Sequence, residues 1–379
     1  MIFDFSETQL MIRETAKKFA EEELAPSAAE RDEKEEFPSE AVKKLGELGF
    51  MGMMVSEKYE GAGFDTVSYV LAVEEISKID ASVGVIMSVN NSLVAWGIET
   101  YGNEVQKEKY LRDLAAGRKL GAFALSEPEA GSDATNQRTT AVRDGDFYIL
   151  NGTKNFITNG AHAEIVLVMA STERSKGPHG VSTFIVEKSF LGFSVAKKEK
   201  KLGIRSSDTV SLAFQDCRIP KENLIQEEGF GMKFALRTLD GGRIGIAAQA
   251  LGIAQASLEA SVKYSKERKA FGHPIAEFQA IQFKLADMAT NVEAARWLTL
   301  KAAAVKDKGE NYSTAAAMAK LYASKVAVNS ALEAIQIHGG YGYIREYPVE
   351  RFLRDSKITE IYEGTSEIQR IVISRSLLE

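Results

Sequence analysis

The carboxylate of Glu363 is the group in this chain best placed by its neighbours to do chemistry. In the run Ile361-Tyr362-Glu363-Gly364-Thr365-Ser366-Glu367-Ile368-Gln369-Arg370, Ser366 and Gln369 have the spacing of a capping box and predict a helix that begins around Glu367. Glu363 then occupies the loop just before a helix N-terminus, beside a glycine that lets a ligand or another backbone approach. Backbone N–H groups at such an end are placed to bind anionic or carbonyl oxygens. The same residues also suit a surface carboxylate next to a well-capped helix.

Three further segments carry chemistry-capable groups. Phe123-Ala124-Leu125-Ser126-Glu127-Pro128-Glu129-Ala130-Gly131-Ser132-Asp133-Ala134 ends in a turn rich in hydroxyl and backbone donors, and it also reads as an ordinary Pro/Gly connection. His338-Gly339-Gly340-Tyr341-Gly342 is either a helix stop or a backbone surface for a ligand. Arg268-Lys269-Ala270-Phe271-Gly272 is either a solvated helix end or a cationic clamp for phosphate. Other chemistries lack their motifs. There is no Gly-x-Gly-x-x-Gly after a strand, no P-loop and no Gly-x-Ser-x-Gly elbow. The four histidines do not pair at metal-ligand spacing, and a single cysteine, Cys217, excludes an internal disulfide and a cysteine-rich metal site. A formal net charge of -6 argues against a nucleic-acid grip as the main task.

The elements that must position these residues follow a helix, strand, helix order. The chain has 379 residues, 45% hydrophobic and 26% charged, an ordinary globular composition with room for two or three domains. Apolar positions predict helices over 7–24, around Val42 to Leu48 and over 69–79. The period then changes. Residues 146–150 and 154–158 flank Asn151-Gly152, which predicts a hairpin turning there. Further strands are expected at 165–170, 181–187, 193–196 and 209–214, and the charge run 197–201 reads as a solvated turn or sheet edge. Beyond 229 the chain is Ala-rich, and 244–264, 277–306 and 314–337 suit the long antiparallel helices of a bundle. The expected domains are a helical one over 1–118, a β domain over 119–226 and a helical bundle over 227–379. No apolar run approaches bilayer-spanning length, and the start Met1-Ile2-Phe3-Asp4-Phe5-Ser6-Glu7 has no leader pattern, so a reducing cytoplasm is the expected location.

Taken in order, these segments resemble the acyl-CoA dehydrogenase family over essentially the whole chain. The likeness rests on Ala124-Leu125-Ser126-Glu127-Pro128 through Gly131-Ser132-Asp133 and on the block 336–369. It is strongest to the short-chain, butyryl-CoA branch, through Ser88-Val89-Asn90-Asn91-Ser92-Leu93, the run 239–252 and the run 360–370. The resemblance implies a mainly α fold with a β middle domain, the last domain a four-helix bundle, FAD between the last two domains, and a homotetramer. Cofactor contacts implied by the likeness are Phe123, Leu125, Ser126, Gly131 and Ser132, then Phe156, Ile157 and Thr158 beside the isoalloxazine. Arg268, Phe271 and Gln279, with Gln336, Ile337, Gly339 and Gly340, match the pyrophosphate and adenine side, partly across a subunit interface. Thr365, Ser366 and Glu367 match further cofactor contacts. Ser132, Asp240, Gly241, Gly242, Arg243, Tyr362 and Gly364 match positions near the CoA thioester.

Glu363 matches the family's catalytic base, which removes a proton from Cα of the thioester as a hydride leaves Cβ for the flavin. Some relatives carry the base near residue 242, where this chain has Gly242 and therefore no group to serve. Many members have Trp where this chain has Phe156. Asn90 and Asn91 are expected either to shape the acyl pocket or to form a polar helix break. The implied activity is α,β-dehydrogenation of a short-chain acyl-CoA to the trans-2-enoyl-CoA, with electron-transfer flavoprotein as the acceptor and no metal. The enoyl-CoA reductase direction, an acyl-CoA oxidase, and a non-catalytic flavin- or nucleic-acid-binding member are the alternatives.

Overall fold

The computed structural model describes residues 4–379, so Met1, Ile2 and Phe3 of the N-terminal stretch read above lie outside the described residues. Seven helices come first: α1 (Glu7–Phe19), α2 (Ala28–Lys34), α3 (Ser39–Glu47), α4 (Thr66–Ile79), α5 (Ala81–Ser88), α6 (Trp96–Tyr101) and α7 (Glu104–Ala115). Polar caps start four of them where the sequence changes character. Ser6 and Gln9 form a reciprocal capping box on α1, Asp65 caps α4, Asp80 caps α5, and Asn103 caps α7. α5 runs through a π-helical segment, Val89–Ala95, into α6.

That continuous stretch, Ala81–Tyr101, is long and apolar enough by length and composition to cross a membrane, contrary to the sequence expectation. It is almost entirely buried against the rest of the protein. Asn90 and Asn91 lie inside it and staple it to its surroundings. Asn90 donates to the Met51 and Leu114 carbonyls and accepts from Gly121 N at 2.9 Å. Asn91 donates to the Phe50 and Met87 carbonyls and accepts from Met53 N at 2.8 Å. Both amides are spent on backbone groups, and the helix runs on through them as a π-helical segment, so they anchor the helix and do not break it.

The middle of the chain forms one eight-stranded sheet: β1 (Gly121–Ala124), β2 (Thr140–Asp144), β3 (Phe147–Thr158), β4 (Ile165–Ser171), β5 (Val181–Glu187), β6 (Phe193–Lys198), β7 (Thr209–Pro220) and β8 (Leu224–Ile225). Its order is β6-β7-β3-β2-β4-β5-β8, with β1 parallel to β4. The hairpin expected at Asn151-Gly152 does not form. Residues 147–158 are a single strand, and the turn is made by Gly145-Asp146, between partners Asp144 and Phe147. Asn151 instead ties β3 to β7 by accepting from Asp216 N at 2.8 Å, and the register shifts between Leu150 and Gly152. Two positions with turn chemistry were close together, and only strand pairing chooses between them.

The last third comprises α8 (Gly231–Glu267), the short ribbon β9 (Lys269–Ala270) and β10 (His273–Pro274), then α9 (Gln279–Asp307), α10 (Ser313–His338), α11 (Val349–Lys357) and α12 (Ser366–Leu378). α8 has 37 residues, which makes it roughly 55 Å long. Its small residues allow close approach: a side chain at Gly252 would run into backbone atoms of Glu74 and Lys78 on α4. The N-terminal and C-terminal helices consequently share one apolar core, while the sheet has its own around Phe184, Leu150 and Cys217.

Candidate active site

Glu363 lies in the loop between α11 and α12, with φ at +52°, followed by Gly364 at +94°. Left-handed φ at a glutamate costs of order 1–3 kcal/mol and persists only where surrounding contacts enforce it. Here they do. The Gly364 carbonyl accepts from Lys320 Nζ at 2.6 Å and from Gln369 Nε2 at 2.7 Å. The expected capping box at Ser366 is not what starts α12. The cap is Thr365, whose hydroxyl accepts from Ile368 N, and the helix begins one residue earlier, at Ser366. Gln369 is turned back to the loop carbonyls because two left-handed residues leave them pointing towards it.

Glu363 Oε2 is sealed from solvent and has no hydrogen-bond partner. Burial pushes the carboxyl up to about 7, opposed by the nearby cations of Lys320 and Arg243. Lys320, in turn, is pushed down to about 8 by burial, with Glu363 opposing. An orphaned buried oxygen that titrates near neutrality is what a general base requires.

α8 forms the facing wall. Gly242 leaves the space that Glu363 fills, since a Cβ built there overlaps Glu363 Oε2 and comes within 2.7 Å of Leu93 Cδ2. Gly245, one turn on, leaves space against Ser88 Oγ and Tyr69 Oη. Gln249 follows on the same face; it donates to the Ala81 carbonyl at 2.8 Å and accepts from the Tyr362 hydroxyl. Asp240 and Arg243 pair at 2.5 Å, and Asp240 also accepts from Ser313 Oγ at 3.0 Å. Burial raises the Asp240 carboxyl above its ordinary range against the pull of Arg243. The structure therefore brings together Glu363, Tyr362 and Gly364 with Gly242 and Arg243.

Sequence reasoning missed four members of this neighbourhood: Lys320, Gln249, Tyr69 and the role of Gln369. Lys320 carried a readable signal. It interrupts an otherwise small, apolar stripe (Ala316, Ala317, Ala323), where a solvated lysine has no place.

On the sheet side, Glu127 accepts from Arg138 N and Thr139 N, and a fully buried Lys154 donates to Glu127 at 2.7 Å, to the Leu125 carbonyl and to Gln137. This cluster fixes the shape of the 125–139 loop. Ser126 is half-buried, and Gly131 and Ser132 are exposed. Phe156 sits at φ +59° and is 66% exposed, and Thr158 is half-buried nearby in sequence. The side chains of Ile157 and Leu125 are instead buried in the two protein cores, which leaves only their backbones to meet a ligand. Phe123 is partly buried and stacks near Phe234.

A cavity of about 480 Å³ lies at the end of α10, lined by Tyr264, Arg268, Ile275, Ile337, His338, Gly339, Gly340, Tyr341 and Ile344. Gly339 ends α10 with φ at +60°, and nothing stands within 4 Å of a Cβ placed at Gly339 or Gly340. Phe271-Gly272 forms the tip of the β9–β10 ribbon, with Phe271 95% exposed at φ +54°. Gln279 opens α9, and Gln336 is exposed near the end of α10. Thr365 and Ser366 are half-buried and Glu367 exposed at the start of α12. These residues fit FAD: an aromatic held outward beside hydroxyl and backbone donors for the isoalloxazine, and an arginine with open glycines for phosphate and adenine. A second cavity, of about 810 Å³, reaches from His179, Lys233 and Arg237 to Asp240, Asn311 and Ser313, and so opens beside the α8 segment that faces Glu363.

Family models match the chain along nearly its whole length. They are those for the acyl-CoA dehydrogenase N-terminal domain over 6–118, the middle domain over 122–217 and the C-terminal domain over 229–378. The chain is 52% identical over 374 residues to the short-chain-specific acyl-CoA dehydrogenase of Clostridium acetobutylicum, covering 99% of each. The solved butyryl-CoA dehydrogenase of Megasphaera elsdenii is 50% identical with a TM-score of 0.99, covering 100% of both chains. A chain solved in work on the electron transferring flavoprotein of Acidaminococcus fermentans and flavin-based electron bifurcation is 54% identical, also with a TM-score of 0.99 and 100% coverage of both.

Proposed function

This chain belongs to the acyl-CoA dehydrogenase family, and we propose that within it Glu363 is the base of an FAD-dependent short-chain acyl-CoA dehydrogenase. The reaction converts a saturated short-chain acyl-CoA to the trans-2-enoyl-CoA and passes electrons to electron-transfer flavoprotein. The observation that carries the reading is the unpartnered, buried Glu363 Oε2 facing the space beside Gly242.

When bound, FAD supplies the acceptor for the hydride that leaves Cβ. Everything else falls to the chain. Phe156, Thr158 and the 125–132 loop border the flavin, and Arg268, Phe271, Gln279 and the 336–340 segment hold its phosphate and adenine end. Thr365, Ser366 and Glu367 complete that set. Glu363 takes the pro-enolate proton from Cα and holds it on Oε2, out of contact with water. The backbone N–H at Glu363 donates to the thioester carbonyl as negative charge develops there. Asp240 to Arg243, with Ser132, line the approach of the thioester, and the cavity ending at Asp240 and Ser313 takes the polar remainder of CoA.

Length discrimination follows from the α8 face. The space at Gly242 is taken by Glu363 Oε2 and that at Gly245 by Ser88 Oγ and Tyr69 Oη, so the Gln249–Tyr362 hydrogen bond, one turn further along this face, sets the floor of the acyl pocket. Gln249→Ala should open that floor. The ratio of kcat/KM for hexanoyl-CoA over butyryl-CoA should rise about tenfold or more, within the roughly 1–3 kcal/mol available per methylene. An unchanged ratio across a C4 to C8 series would place the floor elsewhere.

Domain limits at 1–118, 119–226 and 227–379, a homotetramer and a cytoplasmic location belong to the same proposal. Exposed Phe283, Leu332, Ile371 and Leu377 on α9, α10 and α12 support assembly through the helical face, and the buried, unpaired Cys217 is in keeping with a reducing compartment. The test of the activity is an anaerobic titration of the purified protein with butyryl-CoA. The flavin band should bleach and a long-wavelength charge-transfer band should appear. A flavin band untouched by butyryl-CoA and by longer, branched or cyclic thioesters would overturn the assignment.

A further inference from the structure

We propose that Lys320 is a positioning residue for the base, which both pins the Glu363-Gly364 loop and supplies the charge that keeps the Glu363 carboxyl ionised. The inference rests on Glu363 being the base. Lys320 has no exposed surface, yet it stands on α10 among small apolar residues. Burying an ammonium is costly unless strong acceptors repay it. Its placed acceptor is the Gly364 carbonyl at 2.6 Å, the peptide directly after Glu363. No carboxylate forms an ion pair with it among the described residues; Glu363, Glu360 and Glu367 act on it only through space.

The arrangement answers two needs of the loop. Consecutive left-handed residues at 363 and 364 require their carbonyls to be held, and Lys320 shares that task with Gln369. A carboxyl pushed up by burial also needs a cation to remain a base at neutral pH. Around Glu363 the charged groups are Lys320 from α10 and Arg243 from α8, with the Tyr69 and Tyr362 phenols as the other titratable neighbours. Arg243 is committed to Asp240 at 2.5 Å, whereas Lys320 has no such partner. Lys320 is thus the cation freer to act on the base. Because both groups titrate near neutrality, they should lose their protons in coupled steps.

Three variants separate the two jobs. K320Q keeps a hydrogen-bond donor and loses the charge, K320M loses both, and K320R keeps the charge. The acid limb of kcat/KM for butyryl-CoA, which reports the free enzyme, should fall near pH 7 in the wild type. It should move up by about one pH unit in K320Q and K320M and stay in place in K320R. K320M should in addition turn over more slowly than K320Q at high pH. A second reading independent of turnover is the ¹³C resonance of the Glu363 carboxyl in labelled holoprotein, assigned by its loss in E363Q. Its titration should move by the same amount in whichever uncharged variant is followed. A limb and a resonance that stay at the wild-type pH in K320Q, or that move equally in K320R, would overturn the role. An active E363Q would instead remove the base assignment itself, so the two failures are distinguishable.

Discussion

Glu363→Gln should lower kcat for butyryl-CoA by about 10⁴-fold, which corresponds to roughly 5 kcal/mol of transition-state stabilisation. The amide is close to isosteric with the carboxyl, so the loop keeps its shape: the Gly364 carbonyl is held by Lys320 and Gln369, neither of which bonds to the Glu363 side chain. What is lost is the one atom able to receive the Cα proton. FAD content, thermal midpoint and the perturbation of the flavin spectrum by bound substrate should therefore remain near wild type, while bleaching becomes very slow. Wild-type-like turnover in E363Q would rule Glu363 out as the base. Loss of FAD together with activity would point to a structural role for the loop.

Gly242→Ala should lower kcat by about 10²-fold, by a different route. A methyl group at 242 overlaps Glu363 Oε2 and lies 2.9 Å from Glu363 Cδ and 2.7 Å from Leu93 Cδ2. Both neighbours are ends of flexible side chains, so the fold can accommodate the methyl by moving them. The thermal midpoint should change little, in the range of an ordinary tolerated core substitution of about 1 kcal/mol. Catalysis cannot accommodate it, because the carboxylate must then leave the position from which it reaches Cα. A displacement of about 1 Å costs on the order of 10²-fold in rate. The measurement is kcat for butyryl-CoA alongside a melting curve of the holoprotein. Rate and stability falling together would mean that Gly242 serves helix packing, and an unaffected rate would mean that the base acts from another rotamer.

The parts of this protein that were legible in the sequence are those encoded locally. The order of helices, strands and helices, the strands at 165–170 and 181–187, and the three long C-terminal helices follow from apolar runs, turn residues and Ala-rich composition. The segments around Glu363, Gly131-Ser132 and Gly339-Gly340 stood out because glycines and hydroxyls at element ends carry local meaning. Local signals also misled where two were close together. Asn151-Gly152 lost the turn to Gly145-Asp146 because pairing with β7 extends the strand through it, and the cap of α12 shifted to Thr365 because the preceding loop turns Gln369 inward.

The sequence by itself determined the order of helical and strand regions, the composition of the site segments and the absence of a carboxylate at position 242. Only the tertiary structure decided the surroundings that set the proton affinity of the Glu363 carboxyl. They depend on Lys320 from α10, on the space beside Gly242 on α8, and on the Tyr362–Gln249 contact, all contributed by residues remote in the chain. The physical reason is that a carboxyl's proton affinity is set by dielectric and neighbouring charge. Both are properties of what packs around it, and a lysine in an apolar stripe declares its partner only when the helices close over it.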